Sequence, residues 1–231
     1  MYSIILAAGL GTRISSITGD KPKQLLLINE EPIICRLIRQ FFFAGINRHY
    51  LSTHNHNTLL KDYLNKLHDK YGICNCYESL PSKGENLIHL IHKSNTNNEG
   101  AIVSMGDTVF PEGTIQSFIS SCNTRGASEL LIGVSKKIDS SSGKYFNLEN
   151  KKFTRSYSKE CLSSTGLYYL GHKIVESILD SQKTSSCESI TDIFNNLSET
   201  DFPKNLFNIE NHFDINTPNI YEQCKLYFQN E

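Results

Sequence analysis

The sequence predicts an α/β fold built on a doubly wound, mostly parallel sheet. Short continuous apolar runs, typical of strands buried on both faces, begin near residues 2, 101 and 129, and a further strand is predicted at 49–53. Stretches with helical periodicity separate these runs, as the crossovers of a parallel sheet require. Such sheets bind their ligands at the carboxyl ends of the strands, so those ends are where functional residues are expected.

The predicted elements alternate along the chain. The predicted strands are residues 2–8, 49–53, 73–77, 101–105, 129–134 and 165–170, with a hairpin at 144–148 and 152–156. The predicted helices are the segment opened by Pro32 and closed by Gly45, followed by residues 58–71, 85–93, 114–122, 172–181, 189–198 and 217–229.

Composition narrows the function classes. The net charge of −1 over 231 residues provides no broad basic surface for nucleic acid or an anionic membrane. No apolar run reaches the roughly 18–20 residues of a membrane span, and the N-terminus lacks the shape of a signal peptide. Seven scattered cysteines, an odd number, indicate reduced thiols. We therefore expect a cytoplasmic protein without nucleic-acid or membrane partners.

A glycine turn follows the first predicted strand, in the segment Ile-Leu-Ala-Ala-Gly-Leu-Gly-Thr-Arg at residues 5–13. Gly9 and Gly11 allow backbone N–H groups to approach phosphate oxygens, and Arg13 offers a planar fork for bidentate phosphate contact. A dinucleotide-binding motif would need a third glycine where Ile14 stands, and the P-loop lysine is absent. The glycines alone also fit a plain strand-to-helix turn, but with Arg13 they indicate a polyphosphate site.

Further charged residues lie at positions where such a site could use them. Lys21-Pro22-Lys23 places two ammonium groups around a stiff proline. Asp107 follows a predicted buried strand and Asp214 precedes a predicted helix. Mg²⁺ takes one or two carboxylates together with substrate phosphates, so the two aspartates are candidate metal ligands. Each alone also fits an ordinary polar turn.

These motifs resemble the signature of a known family. L-A-A-G-x-G-T-R followed by K-P-K is similar to the opening of the nucleotidyltransferases that make sugar nucleotides and related activated metabolites. Ser-Met-Gly-Asp-Thr-Val-Phe at 104–110 resembles the family's strand ending in a Gly-Asp turn, and Phe-Asp-Ile-Asn-Thr-Pro at 213–218 resembles its closing D-I-x-T-P motif. The resemblance implies a Rossmann-like fold of the nucleotide-diphospho-sugar transferase type. It also implies a single domain over 1–231, with a nucleotide-binding half at 1–135 and an acceptor-binding half at 136–231.

The resemblance also implies a reaction and roles for residues. A phosphate oxygen of an acceptor attacks the α-phosphorus of a nucleoside triphosphate, and pyrophosphate leaves. Arg13 would hold the pyrophosphate, Lys23 the α-phosphate, and Asp107 and Asp214 the Mg²⁺ ion. The implied nucleotide- and substrate-binding residues are Leu6, Ala7, Ala8, Gly9, Gly11, Thr12, Gly84, Asn86, Asp107 and Lys159.

The base and the acceptor are less firmly indicated. The loop at 81–87 lies where relatives contact the nucleobase, and its Glu85-Asn86 pair resembles cytidylyltransferases acting on phosphocholine-type substrates. Gln24 after Lys23 also resembles cytidylyltransferases, so CTP is favoured. Lys159 precedes the 165–170 strand, as a substrate-phosphate lysine does in many relatives, but it also fits a solvated loop lysine.

The expected function is Mg²⁺-dependent nucleotidyl transfer to a small phosphorylated metabolite, either a sugar phosphate or a phosphocholine-like compound. Such products usually serve surface polysaccharide synthesis, and a homodimer is left open. Two alternatives stay open as well. One is a molybdopterin-type nucleotidyltransferase, although its glycine loop ends differently. The other is a non-catalytic nucleotide-binding regulator on the same fold.

Overall fold

The computed structural model describes residues 1–54, 56–94, 98–137, 144–180 and 188–229. The strands are β1 (Tyr2–Leu6), β2 (Leu27–Ile28), β3 (Glu31–Pro32), β4 (His49–Thr53), β5 (Ile73–Glu78), β6 (Ala101–Met105), β7 (Thr108–Val109), β8 (Leu130–Ser135), β9 (Tyr145–Asn147), β10 (Lys152–Thr154), β11 (Cys161–Leu170), β12 (Lys204–Asn208) and β13 (Phe213–Asp214). The helices are α1 (Ser15–Thr18), α2 (Ile33–Phe43), α3 (Thr58–Tyr71), α4 (Lys83–Ser94), α5 (Thr114–Cys122), α6 (His172–Asp180), α7 (Ile190–Asn196) and α8 (Pro218–Gln229), with 3₁₀ turns at Thr12–Ile14 and Lys23–Leu25.

Nine strands of the described residues form one sheet, whose main path runs β10-β9-β11-β6-β1-β4-β5. β5, β4, β1 and β6 are parallel neighbours, while β11 pairs antiparallel with β6. β8 pairs with β11, and β12 joins β8 in parallel. The predicted α/β class with a mostly parallel sheet is confirmed.

Helices cover both faces of this sheet. Ile4 packs in one core cluster with side chains of α4, α6 and α7, whereas its neighbour Ile5 packs in a second cluster with α2, α3 and α5. Successive side chains of a strand point to opposite faces, so a strand buried on both sides needs a continuous apolar run. A third cluster joins α8 to β7 and β13. This last cluster fixes the segments that follow Asp107 and Asp214.

Most predicted elements are present, and the differences have physical causes. β4, α3, β6 and α5 match the prediction to the residue, and β9 and β10 form the predicted hairpin. α4 begins two residues earlier than predicted, at Lys83, because Ser82 and Glu85 form a reciprocal capping box with two 3.0 Å hydrogen bonds. β12 was not predicted, since its short, largely polar sequence carries no strand pattern. The predicted end of α6 at Ser181 lies outside the described residues.

Within the described ranges, no helix is long and apolar enough to cross a membrane.

Candidate active site

Two aspartates from distant parts of the chain meet at the carboxyl end of β6. Asp107 follows β6, and Asp214 ends β13, where it lies opposite Thr108 in the antiparallel β7–β13 pair. The backbone N–H of Ile215 donates to the carbonyl oxygen of Asp107 at 3.0 Å. Backbone pairing therefore brings the two carboxylate-bearing segments together.

Lys23 joins the glycine turn to these segments. Its ammonium forms an ion pair with Asp107 and donates to Asn216 Oδ1 at 2.8 Å and to the carbonyl oxygen of Ile215 at 3.3 Å. The lysine is only 4% exposed. Gly11 has φ +69°, and a Cβ there would lie 3.4 Å from both Cβ and Cγ of Lys23. Glycine is thus required by its backbone conformation, and it lets the turn close over the lysine stem.

The turn itself is held by Gln24 and by a close strand contact. Gln24 Nε2 donates to the carbonyl oxygens of Ala7 at 2.8 Å and Gly9 at 3.4 Å, and the side chain is almost fully buried. A Cβ on Gly106 would lie 2.7 Å from Cβ of Ala7, so glycine is needed where the ends of β1 and β6 approach. The Gly-Asp turn therefore places Asp107 directly beside the glycine turn.

Two lysines that the sequence did not indicate belong to the same charge cluster. Burial, and then the negative charge of Asp107, raise the pKa of Asp214 to about 6, while Lys23, Lys83 and Lys144 oppose that rise. Burial and the positive charge of Lys83 lower the pKa of Lys144 to about 8, against the pull of both aspartates. Three ammonium groups thus act on the carboxylate of Asp214, and one of them, on Lys23, pairs directly with Asp107. The Ser82-x-x-Glu85 capping signal could have placed Lys83 at a helix start, but no pattern marks Lys144.

A cavity of about 420 Å³ opens beside Asp107. Its walls are the glycine turn, Ser52 near the end of β4, His54 just after that strand, the loop at 79–83 and Asn86. The Asn86 amide is already engaged, since Oδ1 accepts from the backbone N–H of Leu80 at 3.0 Å and Nδ2 donates to its carbonyl oxygen at 2.9 Å. Asn86 therefore fixes the loop that forms the cavity wall. The volume falls within the range of small-molecule sites.

A second cavity, of about 400 Å³, lies between the β9–β10 hairpin and α7. Its lining includes Lys144, Phe153 and Arg155 on one side and Ser189, Thr191 and Asp192 on the other. Lys144 thus borders this cavity and also acts electrostatically on both aspartates. Lys144 therefore couples the second cavity electrostatically to the carboxylates.

The other sequence-predicted residues occupy varied positions. Arg13 stands exposed in the 3₁₀ turn after Gly11, outside the lining of either cavity. Gly84 is buried in the first turn of α4. Lys159 is exposed in the turn before β11 and lines neither cavity. Their roles in binding stay predictions.

The donor set at Asp107 and Asp214 fits a magnesium ion. Both are carboxylates, and their mutual repulsion is what a nearby divalent cation would relieve. Among the described residues, no group of three or more His, Cys, Asp or Glu side chains is arranged for a metal. Two protein carboxylates leave further coordination positions for substrate oxygens and water, as magnesium sites commonly do.

The fold and the cluster of glycine turn, lysine and paired aspartates define the nucleotidyltransferase class of α/β proteins. A model of the Nucleotidyl transferase family matches residues 2–225, and the chain belongs to this family.

Similar proteins agree with this assignment. The chain is 29% identical over 127 residues to a CTP:phosphoglutamine cytidylyltransferase of Campylobacter jejuni, covering 52% of this chain and 49% of that protein. It is 38% identical over 73 residues to a choline-phosphate cytidylyltransferase of Streptococcus pneumoniae, covering 32% of this chain and 30% of that protein. The matched region thus spans half or less of these curated relatives.

Solved structures share the fold over the whole chain. The inositol-1-phosphate CTP transferase of T. maritima superposes with a TM-score of 0.76 at 19% identity, covering 99% of this chain and 96% of that one. HddC of Yersinia pseudotuberculosis gives a TM-score of 0.71 at 22% identity, covering 99% of this chain and 100% of that one.

Proposed function

We propose that the protein transfers a nucleotidyl group from a nucleoside triphosphate, preferentially CTP, to a small phosphorylated acceptor and releases pyrophosphate. The contact of the Lys23 ammonium with Asp107, Ile215 and Asn216 carries this proposal, because it brings all three motifs to one point. The preference for CTP rests on the relatives, which include a CTP:phosphoglutamine and a choline-phosphate cytidylyltransferase.

In this reaction a phosphate oxygen of the acceptor bonds to the α-phosphorus while the bond to the pyrophosphate group breaks. Such transfers need little covalent work from the protein, so positioning and charge neutralisation supply the catalysis. Lys23, anchored at the junction of the three motifs, would hold the α-phosphate and the charge that develops on it. Backbone N–H groups of the glycine turn and Arg13 would hold the departing pyrophosphate.

We further propose that Asp107 and Asp214 hold Mg²⁺ during the reaction. A bound magnesium ion supplies positive charge that neutralises phosphate oxygens. Lys23 pairs with Asp107, so one positive charge is already present beside this carboxylate without a metal ion. The elevated pKa of Asp214 reflects the cost of holding two negative charges together in a buried place.

The wider role is carried over from the family resemblance. The activated product would serve surface polysaccharide synthesis, and the reaction would take place in the cytoplasm.

The test is pyrophosphate release by the full chain, with each of the four triphosphates against a panel of phosphorylated acceptors. We expect CTP to give the highest kcat/KM and EDTA to suppress the reaction. The unphosphorylated form of the best acceptor serves as the matched control and should give no stimulation. If no pair releases pyrophosphate above the rate without protein, the enzymatic proposal is wrong and a binding-only role is left.

A further inference from the structure

The position of Lys144 relative to the carboxylates follows from the sheet register. Leu167 of β11 lies opposite Ser104 of β6, so the part of β11 before Leu167 extends past the carboxyl end of β6. In this extension, the backbone N–H of Ser164 donates to the carbonyl oxygen of Lys144 at 3.0 Å. Lys144 therefore lies at the edge where Asp107 begins the Gly-Asp turn.

The charge of Lys144 has no direct partner in the described part of the chain. None of the salt bridges among those residues involves Lys144 or Arg155. Lys144 is partly buried, and the positive charges of Lys83 and Arg155 act against its own charge while Asp214 and Asp107 favour it. A partly buried cation without a paired anion is costly, so an anionic ligand at this place would be favoured.

We propose that the cavity between the β9–β10 hairpin and α7 is the acceptor site, and that Lys144 binds the acceptor's phosphate. Arg155, exposed at the cavity wall, supplies a second cation to the same ligand. This inference rests on the proposed function and assigns the phosphate contact to Lys144 rather than to Lys159, which lines neither cavity. Both aspartates act electrostatically on Lys144, so a phosphate bound to this lysine would be the part of the acceptor nearest to the proposed metal ligands.

The cavity wall also indicates the class of acceptor. Its only aromatic side chain among the described residues is Phe153. That ring already packs against Phe146, Tyr168 and Phe194, with centroids 5.2, 6.1 and 6.0 Å away. The Asn195 amide holds the Phe153 backbone through hydrogen bonds of 2.7 and 2.9 Å. Phe153 is therefore fixed in the core and cannot turn its face to a ligand.

A quaternary ammonium group is recognised by several aromatic faces, which the described residues of this wall do not offer. Thr154, Ser189, Thr191, Asp192 and Asn195 line the cavity instead. The Ser189 hydroxyl and the Asp192 carboxylate are engaged with each other's backbone N–H groups in the capping box of α7, so the wall is polar and not aromatic. The acceptor is accordingly a phosphate ester bearing hydroxyl groups, such as a sugar or polyol phosphate, rather than a phosphocholine-type compound.

The kinetic test uses the full chain with Mg²⁺, its best triphosphate and its best acceptor. Lys144→Met should raise the acceptor KM at least tenfold while the triphosphate KM changes less than threefold. Lys144→Arg, which keeps the charge, should recover part of the loss. Lys152→Met, at an exposed lysine on β10, is the matched control and should change neither constant. Arg155→Met, at an exposed side chain whose loss does not threaten folding, should raise the acceptor KM about threefold or more.

A binding arm separates this inference from the proposed function. Calorimetric titration of wild-type protein with glucose 1-phosphate, inositol 1-phosphate, glycerol phosphate and phosphocholine needs no turnover. We expect at least one of the first three to bind more tightly than phosphocholine, and Lys144→Met to weaken it at least tenfold. If the wild type releases no pyrophosphate with any pair, the proposed function fails, while the titration still decides the role of Lys144.

Three results would overturn the inference. The first is an acceptor affinity unchanged by both Lys144→Met and Arg155→Met. The second is a loss caused by Lys159→Met in their place. The third is a preference for phosphocholine, or no binding of any of these esters to the wild type.

Discussion

The guanidinium group of Arg36 lies 4.2 Å from the ring centroid of Phe228 and pairs with the carboxylate of Glu112 at 3.0 Å. Glu112 belongs to the segment that follows Asp107. The ring of Phe228 lies 6.2 Å from that of Phe213, the residue before Asp214. The buried Arg36 thus ties together the two segments that carry the carboxylates.

Arg36→Met should destabilise the protein by about 1–2 kcal/mol, because it removes the cation from the ring of Phe228 and from the half-exposed carboxylate of Glu112. Arg36→Lys should recover little of this lost stability, since an ammonium group cannot stack on the ring and form a planar ion pair at the same time. Urea unfolding measures both. Lys225→Met, at a lysine in a surface pair on α8, is the control and should stay within about 0.5 kcal/mol of wild type. Full recovery in Arg36→Lys would show that charge alone matters.

Asp107→Ala should lower kcat/KM at least about 100-fold, because it removes a proposed magnesium ligand and the carboxylate that pairs with Lys23. The variant should remain folded, as judged by circular dichroism, since the β7–β13 pairing uses only the backbone. Pyrophosphate release measures the effect, with the exposed Asp20→Ala as the matched control. Near-normal activity in Asp107→Ala would contradict the proposal that Asp107 is a magnesium ligand.

Asp214→Asn should make the protein more stable and less active. The pKa of Asp214 is raised to about 6 from 3.8, so the native state binds more protons than the unfolded state between these values. Wild-type stability contributed by this group is complete below pH 3.8 and is lost as pH rises through 6. An asparagine at this position does not titrate. The free energy of unfolding of the variant should therefore exceed that of wild type by an amount that grows from pH 4 to pH 7 and reaches about 1–3 kcal/mol.

This pH dependence is measured as the free energy of unfolding in urea with EDTA present, for both proteins at each pH. Activity of Asp214→Asn with Mg²⁺ should fall at least about 100-fold at pH 7.5. A variant that is less stable than wild type at pH 7 would contradict the repulsion between Asp107 and Asp214.

Asn86→Ala should raise the triphosphate KM about tenfold, because the loop at the cavity wall loses the hydrogen bonds that Asn86 makes to Leu80 and Ser82. These hydrogen bonds are partly buried, so a stability loss of about 1 kcal/mol should accompany the change. Initial rates and thermal unfolding measure the two effects, with the exposed Asn123→Ala as control. An unchanged triphosphate KM would show that this cavity does not hold the nucleotide.

Prediction from the sequence succeeded where local patterns carry the information. Asp107 was placed correctly at a strand end because an apolar run stops just before it, and the order of motifs indicated that Asp214 would join it. Lys144 could not be found, since its position depends on the pairing of β9 with a strand extension that starts at Cys161. Nor does any local pattern reveal β7 and β13, because two-residue strands exist only through their tertiary partner.

Asn86 shows a different kind of limit. Its place in the chain suggested a contact with the base, but its amide is occupied by the backbone of Leu80. A sequence does not show which partner a polar side chain chooses. The Ser82-x-x-Glu85 pattern did contain part of the answer, since it marks the start of α4 and thereby the end of the loop.

The long strand β11 pairs with β6, β8 and β9. It therefore connects the part of the sheet that carries the glycine turn to the hairpin that borders the second cavity. Swinging these two sides apart would break a ladder of backbone hydrogen bonds, each worth about 1 kcal/mol. Hinge closure of the kind used by two-domain enzymes is therefore disfavoured. Substrates should enter and leave through loop movements on a rigid frame, and a changed hairpin could retune one pocket without disturbing the other.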